Sequence, residues 1–419
     1  MMHLVKQPGN SKYVKKLNRM AVINMIKEHE PISRRQLAKV TGLTPPAITG
    51  IIRELLDMGI VREVGLDKSR GGRRPVKLCF NPDAGYVVGV EVTRFESFIG
   101  TANLKNDPTD FRMAKIDMTD PETGIKQLAT AIKQVISEKE YIQKTFLGVG
   151  VAFPGLLNIY EGSVKRSINL GRRWDSFPVR EILEKELKLQ VLIENNSNAS
   201  ALAERWFGGG TDCKDLVYIN LGEGISAGIM MNDRILQGAR GYAGEIGHMS
   251  IQEGGPLCNC GNRGCLESIC GIPALVRRAK AELPVISDDD VLKRAWVDNG
   301  KISIDDLIKS ANLRDSYSWE LLKQMSIYIG KAIANVVNFY NPKIVFVGGK
   351  MAVAAEYFMD VIRETVNTHA FPEIALSTDI QISSLKEKSG VMGACALVLR
   401  HLFKSNSDML EDVQQALEG

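Results

Sequence analysis

Long apolar runs are missing from this 419-residue chain. No window holds eighteen or more uninterrupted apolar residues, and Met1 to Asn10 has no apolar stretch of the kind a secretory signal needs. Membrane spanning and export are therefore not expected, and a cytoplasmic protein is. Aromatics make up only 6% of the chain, histidine occurs five times, and the cysteines number seven. Four of those cysteines (Cys258, Cys260, Cys265 and Cys270) crowd into one short stretch, while Cys79, Cys213 and Cys395 are scattered. In a reducing compartment such clustering points to metal before disulfide. The chain is also too long for one hydrophobic core, so two or three domains are expected.

An even distribution of charge is missing too. The first eighty residues carry sixteen Lys and Arg against six Asp and Glu, a net +10, which leaves −6 for the rest of a chain whose total is +4. A basic head on an acidic body suggests a polyanion partner for the head. The head has the pattern of a winged helix-turn-helix. Met20, Ile23 and Ile26 mark a first amphipathic helix near Asn18 to His29, broken by Pro31. Ser33 followed by Gln36 forms a capping box for a second helix, Arg34 to Val40, stopping at Gly42. Thr44 then caps a third helix with Pro45 at its first position, and Ile48, Ile51, Ile52, Leu55 and Leu56 make one apolar stripe.

In that arrangement the third helix presents its free face to the major groove. The expected DNA contacts are Arg34, Arg35, Thr44, Pro46, Ala47, Thr49 and Arg53. Ile60–Val64 and Val76–Phe80 read as two strands joined by a Gly- and Arg-rich wing, whose Arg73 and Arg74 suit phosphates or a narrow A·T-rich minor groove.

From Tyr86 onward short apolar runs alternate with helical patterns: Tyr86–Val92, Leu147–Phe153, Gln190–Glu194, Leu216–Asn220 and Ile344–Val347. The alternation predicts an α/β body with largely parallel sheets and ligands bound at strand ends. Tyr242-Ala243-Gly244-Glu245-Ile246-Gly247-His248, followed ten residues later by Cys258-Asn259-Cys260-Gly261-Asn262-Arg263-Gly264-Cys265-Leu266-Glu267, closely resembles the signature of the ROK family of repressors and sugar kinases. With the winged head, the resemblance is to the family's xylose, N-acetylglucosamine and glucose-type repressor branch. It implies a two-lobed, actin-like, sugar-kinase-like body with sugar in the cleft. The expected divisions are a head over 1–82, a first lobe over 83–197 completed by a helix near 388–403, a second lobe with the metal site over 198–387, and a polar tail over 404–419.

The same resemblance places Glu245, His248 and Glu267 against sugar hydroxyls from one lobe and Asn195 from the other, with Gly155 and Asn169 on two further sugar-site loops. The stretch Gly171-Arg172-Arg173-Trp174 departs from the usual family spacing. Chemically, fixed carboxylates, amides and imidazoles suit a polyol. His248, Cys258, Cys260 and Cys265 form a tetrahedral donor set with no open position, so one structural zinc per chain is expected, with His248 meeting metal through one ring nitrogen and sugar through the other. Cys270 lies outside the pattern and reads as a spare thiol.

Kinases of the family carry Glu-Asn-Asp where this chain has Glu194-Asn195-Asn196. An amide at Asn196 can hold a sugar hydroxyl but cannot take its proton, a role typically worth 10²–10⁴ in rate. Arg94 and Phe95 replace phosphate-cradling glycines, and Glu223 puts an acid in the second glycine loop. The reading is a sugar-responsive repressor, not an enzyme. Its expected partners are a palindromic, A·T-rich DNA operator, a sugar that weakens operator binding, and a second copy in a homodimer or dimer of dimers. A sugar kinase with an appended DNA-binding head and a protein-interaction module are the alternatives.

Overall fold

The structure is a computed structural model that describes residues 11–66, 76–105, 107–141, 144–313 and 316–404. The head begins with α1 (Ser11–His29), seven residues longer at its start than its apolar spacing suggests. Val22, Ile23 and Ile26 are fully buried. The helix α2 (Arg34–Thr41) is started by the Ser33–Gln36 capping box and stopped by Gly42, whose left-handed backbone (φ 71°) a side chain would strain. Then comes α3 (Pro45–Asp57), which buries Ile48, Ile51, Ile52 and Leu55 as its stripe requires. Thr44 sits extended at its N-cap position, but its hydroxyl makes no capping bond, so Pro45 alone marks the start.

Strands β1 (Ile32–Ser33), β2 (Val61–Leu66) and β3 (Val76–Phe80) form an antiparallel sheet in the order β1-β3-β2. The wing between β2 and β3, with Arg73 and Arg74, lies outside the described residues.

The body holds two five-stranded sheets. The first contains β4 (Tyr86–Val92), β5 (Glu96–Asn103), β6 (Pro108–Lys115), β7 (Phe146–Phe153) and, beyond a small hairpin of β8 (Leu156–Asn158) and β9 (Ser163–Arg166), β10 (Val191–Asn195). Its order is β10-β7-β4-β5-β6. The second contains β11 (Leu216–Leu221), β12 (Ile225–Met231), β13 (Arg234–Ile235), β14 (Ile344–Gly348) and β15 (Asp379–Ile382), in the order β13-β12-β11-β14-β15.

The sheets are mixed: in each, two of the four strand pairings are parallel and the two at one side are antiparallel, so that one strand runs against the other four. The reason is connection length: three residues join β4 to β5 and three join β11 to β12. A parallel neighbour needs a crossover of a dozen or more residues. Both sheets follow the same pattern, so the two lobes repeat one topology.

Two helices lie between the sheets: Asn196–Phe207, here the Asn196 helix, and Ser389–Lys404, the Ser389 helix. They touch backbone to backbone, since a Cβ on Gly393 would stand 1.8 Å from the Ala199 carbonyl oxygen. Gly228 on β12 meets the Ser197 carbonyl in the same way, and Gly150 on β7 meets that of Ala394. The Asn196 helix is thus seated on the second sheet and the Ser389 helix on the first.

The head shares a core with the body. Val22, Ile26, Leu55 and Phe80 belong to one buried cluster with Val87, Leu147, Val398, Leu399 and Leu402. Phe80 and Phe403 meet edge to face with ring centres 5.7 Å apart, and Glu30 pairs with Lys105 at 2.7 Å while accepting the Phe80 amide. Leu399 is fully buried at this junction. Leu399→Ala should cost about 2–5 kcal/mol and lower one calorimetric transition in which head and body melt together. A head transition that stays at its original temperature would contradict a shared core.

Candidate functional site

On the head, Thr44, Pro46, Thr49 and Arg53 are exposed at the start and along the face of α3 away from its buried stripe, with Ala47 half-buried among them, and Arg35 is exposed on α2. The Thr49 hydroxyl donates to the Pro45 carbonyl at 2.9 Å. Arg34 is partly tied down, with Nη2 2.9 Å from Glu63 Oε1 on β2.

A cavity of about 440 Å³ opens between the lobes. All seven residues expected to hold a sugar line it: Gly155, Asn169, Asn195, Asn196, Glu245, His248 and Glu267. Its two walls come together over Gly224, where an added Cβ would lie 2.8 Å from Asn169 Nδ2 and 3.0 Å from Glu267 Oε2. The absent side chain lets an amide from the first lobe and a carboxylate from the second face one space. Glu267 is held there by the Ile225 amide, which donates to Oε2 at 3.0 Å.

Asn195 ends β10 and caps the Asn196 helix: its Oδ1 accepts from the Ser197 amide at 2.9 Å and its Nδ2 donates to the Gly155 carbonyl at 3.1 Å. Asn196 Nδ2 donates to the Val92 carbonyl at 3.1 Å, which fixes the amide at the end of β4. Burial, then the neighbouring charge of Glu267, pushes the Glu245 carboxyl up to about 7. Glu267 is also raised, chiefly by burial. Such carboxyls exchange hydrogen bonds with hydroxyl groups readily, because water competes poorly for them.

His248 stands between this cleft and the cysteine cluster. Its Nδ1 lies 3.7 Å from Cys258 Sγ, and its Nε2 lies 3.9 Å from Glu245 Oε2 on the cleft side. Cys260 and Cys265 sulfurs are 3.7 Å apart, and the four donor atoms all lie within 4.8 Å of one another. Tetrahedral ligands at zinc–sulfur distances are separated by about 3.8 Å, so the set fits one ion of that size and can hold a metal such as zinc. Cys258 and Cys265 are buried, as a closed site requires. Cys270 is buried away from the cluster, its Sγ 3.8 Å from the Met325 carbonyl, and burial raises its thiol far above the usual range.

The sequence reading missed the cleft's contributions from Arg166, Ser167, Lys386, Glu387, Ser389 and Gly390. Ser389-Gly390 opens the Ser389 helix, and a helix-start signal nearly two hundred residues from Asn195 gives no hint that it faces the same cavity. Glu91, at the end of β4, packs against Gly390 and is pushed up to about 7 by burial and then by Glu387.

Comparison with known proteins agrees with this architecture. The profile of the ROK family matches residues 99–401, and a winged helix-turn-helix DNA-binding profile matches residues 16–62. The xylose repressor of Caldicellulosiruptor bescii is 31% identical over 403 residues, covering 96% of this chain and 98% of the relative. The N-acetylglucosamine repressor of Escherichia coli O157:H7 is 29% identical, covering 94% and 95%. A crystal structure of a ROK family transcriptional regulator, homologous to the E. coli MLC protein, superimposes with a TM-score of 0.81 at 26% identity, covering 97% of this chain and all of that one. With a winged helix-turn-helix ahead of a sugar-kinase-like body of two sheets, and a family profile spanning most of its length, this chain belongs to the ROK family.

Proposed function

We propose that the protein is a sugar-responsive transcriptional repressor that binds an operator through its head and releases it when a monosaccharide fills the interlobe cleft. The observation that carries this reading is the convergence of Asn169 and Glu267, one from each lobe, over Gly224. A polyol gripped by both walls favours the closed arrangement of the lobes, and a ligand shifts an equilibrium only by binding one arrangement better. The full-length relatives named for xylose and N-acetylglucosamine support these two sugars as the first to test.

Asn196 supports sensing over phosphoryl transfer. It occupies the place where kinases of the family carry their Asp, and its amide is already committed to the Val92 carbonyl. An amide holds a hydroxyl without taking its proton. On the head, we assign Arg35, Thr44, Pro46, Ala47, Thr49 and Arg53 to the major groove, with Arg34 beside them on α2. Arg73 and Arg74 go to phosphates or the minor groove. Two heads in a dimer would match a palindromic, A·T-rich site.

His248, Cys258, Cys260 and Cys265 would hold one zinc, which supplies structural cross-linking of the loop that carries Glu245 to the helix that carries Glu267. The chain's own residues do the recognition: Glu245 and Glu267 accept hydrogen bonds from sugar hydroxyls, and His248 Nε2 faces the ligand while Nδ1 is held by the metal set.

Two outcomes test this reading. In Glu267→Ala, operator affinity should be unchanged, while the release by xylose or N-acetylglucosamine, about 5–150-fold for a coupling of ordinary size, should vanish. Release at the native sugar concentration would move the effector elsewhere. Cys260→Ser should lose zinc in metal analysis and lower the melting temperature, because structural zinc contributes roughly 10 kcal/mol in small domains. A native protein prepared without chelators and free of zinc would refute the metal assignment.

A further inference from the structure

The Asn196 and Ser389 helices each run from the cleft to the head. At one end Asn195, Asn196, Ser389 and Gly390 line the cavity. At the other, the Lys27 ammonium of α1 sits 3.8 Å from the centre of the Trp206 ring and 4.6 Å from that of Phe403. Trp206 belongs to the Asn196 helix and Phe403 to the Ser389 helix. One cation on the head is therefore held by an aromatic ring from each of the two helices.

These helices belong to different lobes. The Ser389 helix is seated on the first sheet at Gly150, the Asn196 helix on the second at Gly228. They meet each other where Gly393 lies against Ala199, beside Ala152 and Ala394, and again further along, where Leu202 and Trp206 pack with Ala396 and Leu397. At the small residues the backbones are close enough to shift and turn against each other by small amounts, and the larger side chains beyond them carry that shift toward the head. The contact at Gly393 lies near the cleft end of the Asn196 helix.

From Ala199 to Trp206 the helix extends about 10 Å, and from Gly393 to Phe403 the other extends about 15 Å. A relative turn of about ten degrees at the contact would displace the two rings by roughly 2 Å with respect to each other. A displacement of that size weakens the hold of at least one ring on the cation, because the attraction reaches only about 6 Å from a ring centre and falls with distance.

We infer that Lys27, clasped by Trp206 and Phe403, is the joint through which closure of the interlobe cleft changes the position of the DNA-binding head. The inference rests on the proposed sugar-sensing reading and adds its route. Lys27 is a positioning residue: it does not line the cavity and is not among the residues assigned to DNA. The cation supplies the coupling, and the shared apolar core keeps the head attached whichever way the clasp is set.

The test uses the full-length protein, a duplex it selects from a random pool, and xylose and N-acetylglucosamine as probes. The readout is the ratio of duplex Kd with and without sugar. Lys27→Met keeps the aliphatic stem and should lower that ratio by about 3–10-fold, with the sugar Kd unchanged. Lys27→Arg, whose guanidinium also stacks on aromatic rings, should restore it. Lys105→Met, which breaks the pair with Glu30 but leaves the clasp, should keep the native ratio. Hydrogen exchange over residues 20–29 should respond to sugar in the native protein and not in Lys27→Met.

A native ratio of one with both sugars would sink the sensing reading itself. A native ratio above one that Lys27→Met leaves intact would overturn the clasp alone. So would failure of Lys27→Arg to restore it, an equal loss in Lys105→Met, or a weakened sugar Kd in Lys27→Met.

Discussion

The contact of Gly393 with the Ala199 carbonyl sets how closely the two lobes approach. With no Cβ on Gly393, two helices from different lobes lie backbone to backbone, and every larger feature is placed relative to that contact. Their first turns meet at the cleft, where Asn195 caps one helix and Glu91 packs against Gly390 of the other. Their last turns supply Trp206 and the Leu399–Leu402–Phe403 surface against which the head is built. A side chain at position 393 would have to push the lobes apart, and with them both the cavity and the seat of the head.

The chemistry of the cleft follows from how its groups are held. Asn195 and Asn196 are fixed by bonds to Gly155, Ser197 and Val92, and Asn196 Oδ1 is left buried without a protein partner, open to a donor from a ligand. Glu245 and Glu267 are half-buried carboxyls with few protein partners, and hydroxyl donors can satisfy them. The imidazole of His248 links this wall to the cysteine cluster, one nitrogen on each side. One ring thus borders both the cleft and the cysteine cluster.

Much of this was legible in the sequence where the signal was local. The capping box at Ser33 and Gln36, the glycine stop at Gly42 and the stripe on α3 each state a helix boundary in a few residues, and the structure reproduces them. The Cys-x-Cys-x4-Cys spacing gave three of the four clustered donors, and the family signature supplied His248. What could not be read depended on distant partners. The mixed sheets were hidden because an apolar strand looks alike in either direction, although the three-residue links after Val92 and Leu221 held the answer. Nothing in the sequence joins Ser389 to the cleft or Lys27 to Trp206 and Phe403, because each pairing is made by the course of a helix through the core and not by a motif.

In the proposed mechanism the cleft and the head are two ends of one equilibrium. Binding linkage is reciprocal, so an operator that sugar displaces must itself weaken sugar binding by the same factor. Titration calorimetry of xylose and of N-acetylglucosamine into the native protein, free and saturated with its selected duplex, measures that factor directly. The expected sugar Kd on DNA is raised by the same ratio that sugar raises the duplex Kd. Equal sugar affinities with and without DNA would contradict it.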